Sequence, residues 1–197
     1  MEKVLKTQKT EEKRKTRFDR KKLLSVGIAT LFVAAAVAVI ILFYPRKTVP
    51  IDHFCKALQT GSVTELQKCM PPDAWSYASG KYSADEQHRD SFRDHMNDYV
   101  SGIHGMLLER YGQKLKISYR VTNKEEFGNE ELNQLAQELY RLYEIDPLTI
   151  TEACTITVDT TCKGKLCTET SQADTFVVYK LNGKWYLFFD PFFSITK

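Results

Sequence analysis

Apolar and polar positions divide this chain into a charged head, an apolar run and a mixed remainder. The run, Leu23 to Tyr44, reads L-L-S-V-G-I-A-T-L-F-V-A-A-A-V-A-V-I-I-L-F-Y and carries no charge. As a helix its 22 residues extend roughly 33 Å, enough to cross the ~30 Å hydrocarbon core of a bilayer. A cleaved signal peptide is the alternative, with Ala36-Val37-Ala38 as the cleavage site. Its apolar region is expected to be only about 7–15 residues long, and this run continues well past those alanines.

Beyond Pro50 the periodicity changes repeatedly. Phe54, Ala57 and Leu58 recur at helical spacing until Gly61. Ser62 followed by Glu65 forms a capping box that opens a second short helix. Pro71-Pro72 ends it, and residues 71–83 read as a loop carrying Trp75, Tyr77 and Tyr82. A long helix is expected from Ala84 to Arg110. Its stripe is Phe92, Met96, Tyr99, Val100, Ile103, Met106 and Leu107. Gly102 and Gly105 lie inside it and mark a kink or a close backbone approach.

Lys114 to Val121 alternates strictly and predicts a strand with one buried face. Asn129 is read as the cap of a helix with Glu130 and Glu131 in its positive first turn. Leu132, Leu135, Ala136, Leu139 and Tyr143 form its stripe, and Pro147 closes it. Thr149 to Cys162 alternates again, with Ile150, Cys154, Ile156 and Val158 on one face. Phe176 to Leu181 and Lys184 to Phe189 flank Asn182-Gly183, the dipeptide that suits a type I′ hairpin turn. That turn sets Leu181 opposite Lys184, Tyr179 opposite Tyr186 and Val178 opposite Leu187. Both faces of the hairpin are then apolar. Either the domain's own helices or loops cover both, or a ligand or partner covers one.

Charge separates head from body. Residues 1–22 hold ten Lys or Arg against four Asp or Glu, while residues 51–197 carry a net −5. A Lys/Arg excess ahead of an apolar run keeps that end in the cytoplasm. The expected organisation is a basic cytoplasmic head at 1–22, a single-pass transmembrane helix at 23–44, a tether at 45–50 and an extracytoplasmic α+β domain at 51–197. Helices come first in that domain and an antiparallel sheet follows.

The opening F-C-K-A-L-Q-T-G-S-V-T-E-L-Q-K-C-M and the closing V-V-Y-K-L-N-G-K-W-Y-L-F-F resemble nuclear transport factor 2-like domains. The resemblance implies a nuclear transport factor 2-like/cystatin-like cone, with helices packed into a curved sheet. The helix at 129–144, set between strands, departs from that pattern. Many bacterial members are membrane-anchored or lipoprotein modules. Others are isomerases or dehydratases with an Asp or His base and a Tyr donor inside the cone. The matching candidates here are His95, Asp98 and Tyr99 as cone-lining polar residues, beside Asp90 and Asp94. No catalytic motif is matched residue by residue, so no enzyme activity is expected.

His88 and His95 are seven residues apart, too far along a helix to share a zinc ion, and no C-x-x-C occurs. No metal or cofactor is implied. Aromatics are not interleaved with basic residues beyond the apolar run, which argues against nucleic-acid binding.

In an exported domain the cysteines can form disulfides. A two-residue turn at Gly164-Lys165 sets Cys162 opposite Cys167, close enough to bridge. Cys55 and Cys69 can bridge the two halves of the first helix pair. Cys154 is left as a buried thiol, or replaces one partner.

The function expected is a membrane-anchored extracytoplasmic binding or interaction module. The alternatives are a subunit of an envelope, secretion or conjugation complex, and a cone-fold enzyme. The expected partners are the lipid bilayer and another envelope protein or a second copy. The envelope protein or second copy would meet the C-terminal sheet through Phe176, Val178, Trp185, Leu187 and Phe189.

Overall fold

The computed structural model describes residues 46–84 and 91–189. Pro50 stands in the first turn of α1 (Val49–Thr60), where its missing N–H is no loss. Gly61, at φ 65°, ends α1 by donating its N–H to the Ala57 carbonyl. Ser62 then caps α2 (Val63–Gln67), its hydroxyl accepting from the Glu65 N–H. The reciprocal half of the expected capping box is not formed, because the Ser62 N–H donates to the Ala57 carbonyl and the Glu65 carboxylate is taken by His53, Lys56 and Lys68.

Residues 71–83 are not a loop. Pro72 opens a third helix, α3 (Pro72–Ser83), with Asp73 in its first turn and Lys81 in its last. Ala74, Trp75, Ala78 and Tyr82 recur at threes and fours and are buried. The proline pair suits a stop, but proline at N1 is also a start. The long helix also begins later than expected. Ser91 caps α4 (Phe92–Tyr111) by accepting from the Asp94 N–H. Gly102 and Gly105 mark no close approach, because a Cβ at either would meet nothing within 4 Å.

After α4 come β1 (Lys116–Glu126), α5 (Asn129–Tyr143), a short 3₁₀ turn (Pro147–Thr149), β2 (Ile150–Lys163), β3 (Thr168–Leu181) and β4 (Lys184–Leu187). Gly128 is the cap residue of α5, one position before the expected Asn129. The Gly128 N–H donates to the Glu131 carboxylate at 2.8 Å. The strands form one antiparallel sheet in the order β1-β2-β3-β4, with α5 set between the first two. Asn182 (φ 51°) and Gly183 (φ 79°) form the β3–β4 turn. Its register is the expected one, Leu181 opposite Lys184, Tyr179 opposite Tyr186 and Val178 opposite Leu187.

Three register shifts interrupt the ladders, at Val121/Asn123, Ile150/Glu152 and Val158/Thr160. A bulge bends its strand and reverses the inside-outside alternation past it. Ile150 therefore does not share a face with Cys154, Ile156 and Val158. It packs with Ala153, Tyr179 and Leu181 against residues of α1 to α5, including Trp75, Phe92, Met96 and Leu139. The opposite face, with Cys154, Ile156, Val158, Val178, Trp185 and Leu187, packs on Ile51, Cys55 and Cys69. The domain itself covers both apolar faces of the hairpin.

The fold class is corrected in one respect. Among the described residues no helix is long and apolar enough to cross a membrane, and the fold is α+β alone. The expected span at 23–44 and the basic head at 1–22 lie outside the described residues.

The Cys162/Cys167 register is corrected as well. Cys162 lies opposite Glu169 and Lys163 opposite Thr168, leaving a four-residue loop, Gly164 to Cys167. This loop serves the end of α4. The Leu166 N–H donates to the Tyr111 carbonyl at 2.8 Å and the Lys165 N–H to the Gln113 carbonyl at 3.0 Å. It thus satisfies a terminal helix carbonyl that lacks an intrahelical partner. Approach is so close that a Cβ on Gly164 would fall 2.1 Å from the Tyr111 oxygen. Gly164→Ala is therefore expected to cost about 1–3 kcal/mol by forced displacement. Gly102→Ala should stabilise by up to about 1 kcal/mol, because it adds helix propensity in open space. Urea unfolding of both variants checks the opposite signs.

Candidate functional site

α1 and α2 are held together around one carboxylate. Glu65 has a side chain only 11% exposed. Its Oε2 lies 2.8 Å from His53 Nδ1. Its Oε1 accepts from Lys68 Nζ at 2.8 Å and from Lys56 Nζ at 3.1 Å. These partners, Lys68 first and His53 next, hold its carboxyl down at about 2 against the opposing effect of burial. His53 and Lys56 come from α1, while Lys68 follows α2, so the cluster fixes the angle between the two helices.

The edge of β4 is fastened to the same unit, because the Leu187 N–H donates to the Cys69 carbonyl at 2.8 Å. Between them opens a cleft of about 480 Å³. Val49, Met70, Trp185 and Tyr186 give it apolar walls, and Arg46, Lys68 and Lys184 bring positive charge. No carboxylate is among its lining residues. Trp185 is buried, with Lys47 Nζ 4.9 Å and Lys180 Nζ 6.0 Å from its ring centre. Both lysines are also engaged in ion pairs, Lys47 with Glu126 at 2.5 Å and Lys180 with Glu152 at 2.6 Å. The volume falls in the ordinary range for ligand clefts.

A second cleft, about 640 Å³, lies between α1 and the edge strand β1 and shares Arg46 with the first. Tyr119 and Asp52 line it, and the Tyr119 hydroxyl donates to Asp52 Oδ1 at 2.5 Å. Burial, then the bond to Asp52, pushes the Tyr119 pKa well up. The Ile117 N–H on the outer edge of β1 donates to Gln59 Oε1 at 3.0 Å. That side chain occupies one of the edge's free donors.

The residues singled out from the sequence lie elsewhere. His95 is half-buried and stacks on Tyr82, ring centres 5.2 Å apart. Tyr99 is half-buried and faces Phe189 at 6.5 Å. Asp98 is exposed, and Asp94 accepts a bond from the Ser91 hydroxyl at the start of α4. His95, Asp98 and Tyr99 line neither cleft. His88 and Asp90 lie outside the described residues. Val178, Trp185 and Leu187 are core residues rather than a free face. Phe176 is half-buried edge-on to Phe54 at 5.8 Å, and Phe189 packs at the margin of the other core. Among the described residues no three His, Cys, Asp or Glu side chains are grouped to hold a metal ion.

All five cysteines are free thiols in this structure, so neither expected bridge, Cys162–Cys167 or Cys55–Cys69, is formed. Cys69 donates to the Pro50 carbonyl at 3.4 Å and shares the second core with Cys55 and Cys154. Burial raises the Cys55 thiol to about 11 and the Cys69 thiol to about 12. Thiols so placed are poor nucleophiles.

Sequence reading missed Arg46 and Lys184 as site residues. Arg46 falls within the expected tether at 45–50 and Lys184 at a hairpin position, and neither is marked in the sequence as a site residue. Comparison with protein-family models finds no match, and comparison with curated proteins finds no similar sequence.

The Glu65 cluster has a pH signature. The folded carboxyl titrates near 2 and an ordinary glutamate near 4.5. Its stabilising contribution is therefore complete above about pH 5 and is lost as pH falls toward 2. Glu65→Gln is expected to cost about 1–2 kcal/mol at pH 7, the lysine partners being largely solvated. Urea melts should show the gap between wild type and variant narrowing at pH 3. A gap of constant size would contradict the assignment.

Proposed function

We propose that this chain is a membrane-tethered interaction module whose α+β domain, of the nuclear transport factor 2-like cone class, works outside the cytoplasm. The observation that carries the binding half is the open cleft beside α1, α2 and β4, with its aromatic wall and positive rim. The element order, helices and then an antiparallel sheet in the order β1-β2-β3-β4, is compatible with the cone class. Placement at a membrane rests on the uncharged run at 23–44 and the basic residues before it. A partner is expected at the cleft rather than on the sheet face, because Val178, Trp185 and Leu187 are covered by α1. The enzyme reading draws no support from the geometry. Asp98 is exposed, while Tyr99 is half-buried against one core.

The full chain is expected to remain in the membrane pellet after alkaline carbonate extraction. Protease added to intact cells is expected to cut its domain. Release by carbonate, or a domain protected in intact cells, would overturn the placement. A photo-crosslinking amino acid at position 184 is expected to capture a partner or a lipid in cells. One at exposed Asp98 should not. Equal yields at the two positions would remove the cleft from the interaction.

A further inference from the structure

The cleft's charges are not equivalent. Lys68 is held by Glu65, and the nearby Lys47 and Lys180 are held by Glu126 and Glu152. Arg46 and Lys184 are exposed and have no ion-pair partner among the described residues. The two come from opposite ends of the domain sequence yet line one cleft, above walls formed by Val49, Met70, Trp185 and Tyr186. Val49 is 38% exposed.

Two free cations beside apolar and aromatic surface, with no carboxylate in the lining, match a ligand that is anionic at one end and apolar at the other. A free inorganic anion would leave the apolar walls wet. An uncharged amphiphile would leave both cations unused. We propose that this cleft binds the headgroup of an anionic phospholipid. Arg46 and Lys184 take the phosphate, while Trp185, Tyr186, Val49 and Met70 take the glycerol and the first acyl carbons. The proposal rests on the membrane-tethered reading for its source of lipid. In the sequence Arg46 stands two residues after Tyr44, the end of the uncharged run. Interfacial tyrosine and tryptophan and juxtamembrane basic residues suit the same boundary.

The test uses the full chain kept soluble in a neutral detergent, with tryptophan emission as readout. The probes are dihexanoylphosphatidylglycerol and dihexanoylphosphatidylcholine, which differ in headgroup charge. The anionic lipid should shift the emission saturably, and the zwitterionic one should not at equal concentration. Trp185→Phe should remove the response, leaving only the emission of Trp75. Arg46→Glu combined with Lys184→Glu should weaken binding by at least about tenfold. Both side chains are exposed, so the melting temperature should stay unchanged. Equal responses to the two lipids, no response to either, or an unchanged affinity in the charge-reversed variant would each overturn the proposal. Full competition by inorganic phosphate at the lipid's own concentration would also overturn it, by pointing to a site for free anions. These probes are water-soluble, so the result does not depend on where the chain resides. A chain released by carbonate that still binds the anionic lipid would sink the tethered reading alone. A tethered chain that ignores the lipid would sink the headgroup proposal alone.

Discussion

Glu65 is the one buried charged residue among those described, and its needs organise the first half of the domain. A carboxylate in that position must be paired and hydrogen-bonded, since an uncompensated buried charge costs several kcal/mol. His53, Lys56 and Lys68 meet the requirement from two sides. The result fixes α1 against α2. Among the described helices α1 enters both cores: Ile51 and Cys55 enter one, and Ala57 enters the other. A change in its tilt would disturb both faces of the sheet at once. The cleft wall formed by Val49, His53, Thr64 and Lys68 lies on these same two helices. The site's shape is thus inherited from an ion cluster beside it.

The second constraint is that the sheet has no wet face at its centre. Strand residues of β2 and β3 alternate between two cores, and bulges decide which residue goes to which. The bulge between Ile150 and Glu152 sends Ile150 to the side of Ala153 and Tyr179. Cys154 goes to the side of Val178. At its other end, β3 begins as the mostly exposed run Thr168 to Thr175, where neither core reaches. There the hairpin tip has another role: its loop is drawn onto the end of α4, and Gly164 is the residue that permits the contact.

Where local signals were complete, the sequence could be read closely. Asn182-Gly183 carries its own geometry, so the β3–β4 register followed from two residues. Ser62, whose hydroxyl caps α2, marks the start of that helix for the same reason. Signals that have two meanings were read one way only. Pro71-Pro72 can stop one helix or start the next, and buried Trp75, Ala78 and Tyr82 show which applied. Gly164 looked like a turn glycine, but the requirement comes from Tyr111, more than fifty positions away. Cys162 and Cys167 looked paired only while the turn was taken as two residues. The alternation of β2 was legible, but the bulge that shifts Ile150 was not. A bulge is set by its partner strand and leaves no mark in the pattern of one strand alone.

The cleft was the least legible feature, and its electrostatics explain why. Residues 51–197 are net acidic, which argues against an anion site when charges are merely counted. Pairing reverses that conclusion locally. Glu65, Glu126 and Glu152 each neutralise lysines around Trp185, and Asp52 is bonded to Tyr119. Glu65, Glu126 and Glu152 are thereby tied up, while exposed Asp73 still acts on Tyr186 from outside the lining. Arg46 and Lys184, which are far apart in sequence, remain free at its rim. The net charge of a domain reports on solubility and long-range steering. What a cleft attracts depends on which charges stay unpaired at its edge, and that is decided by the fold.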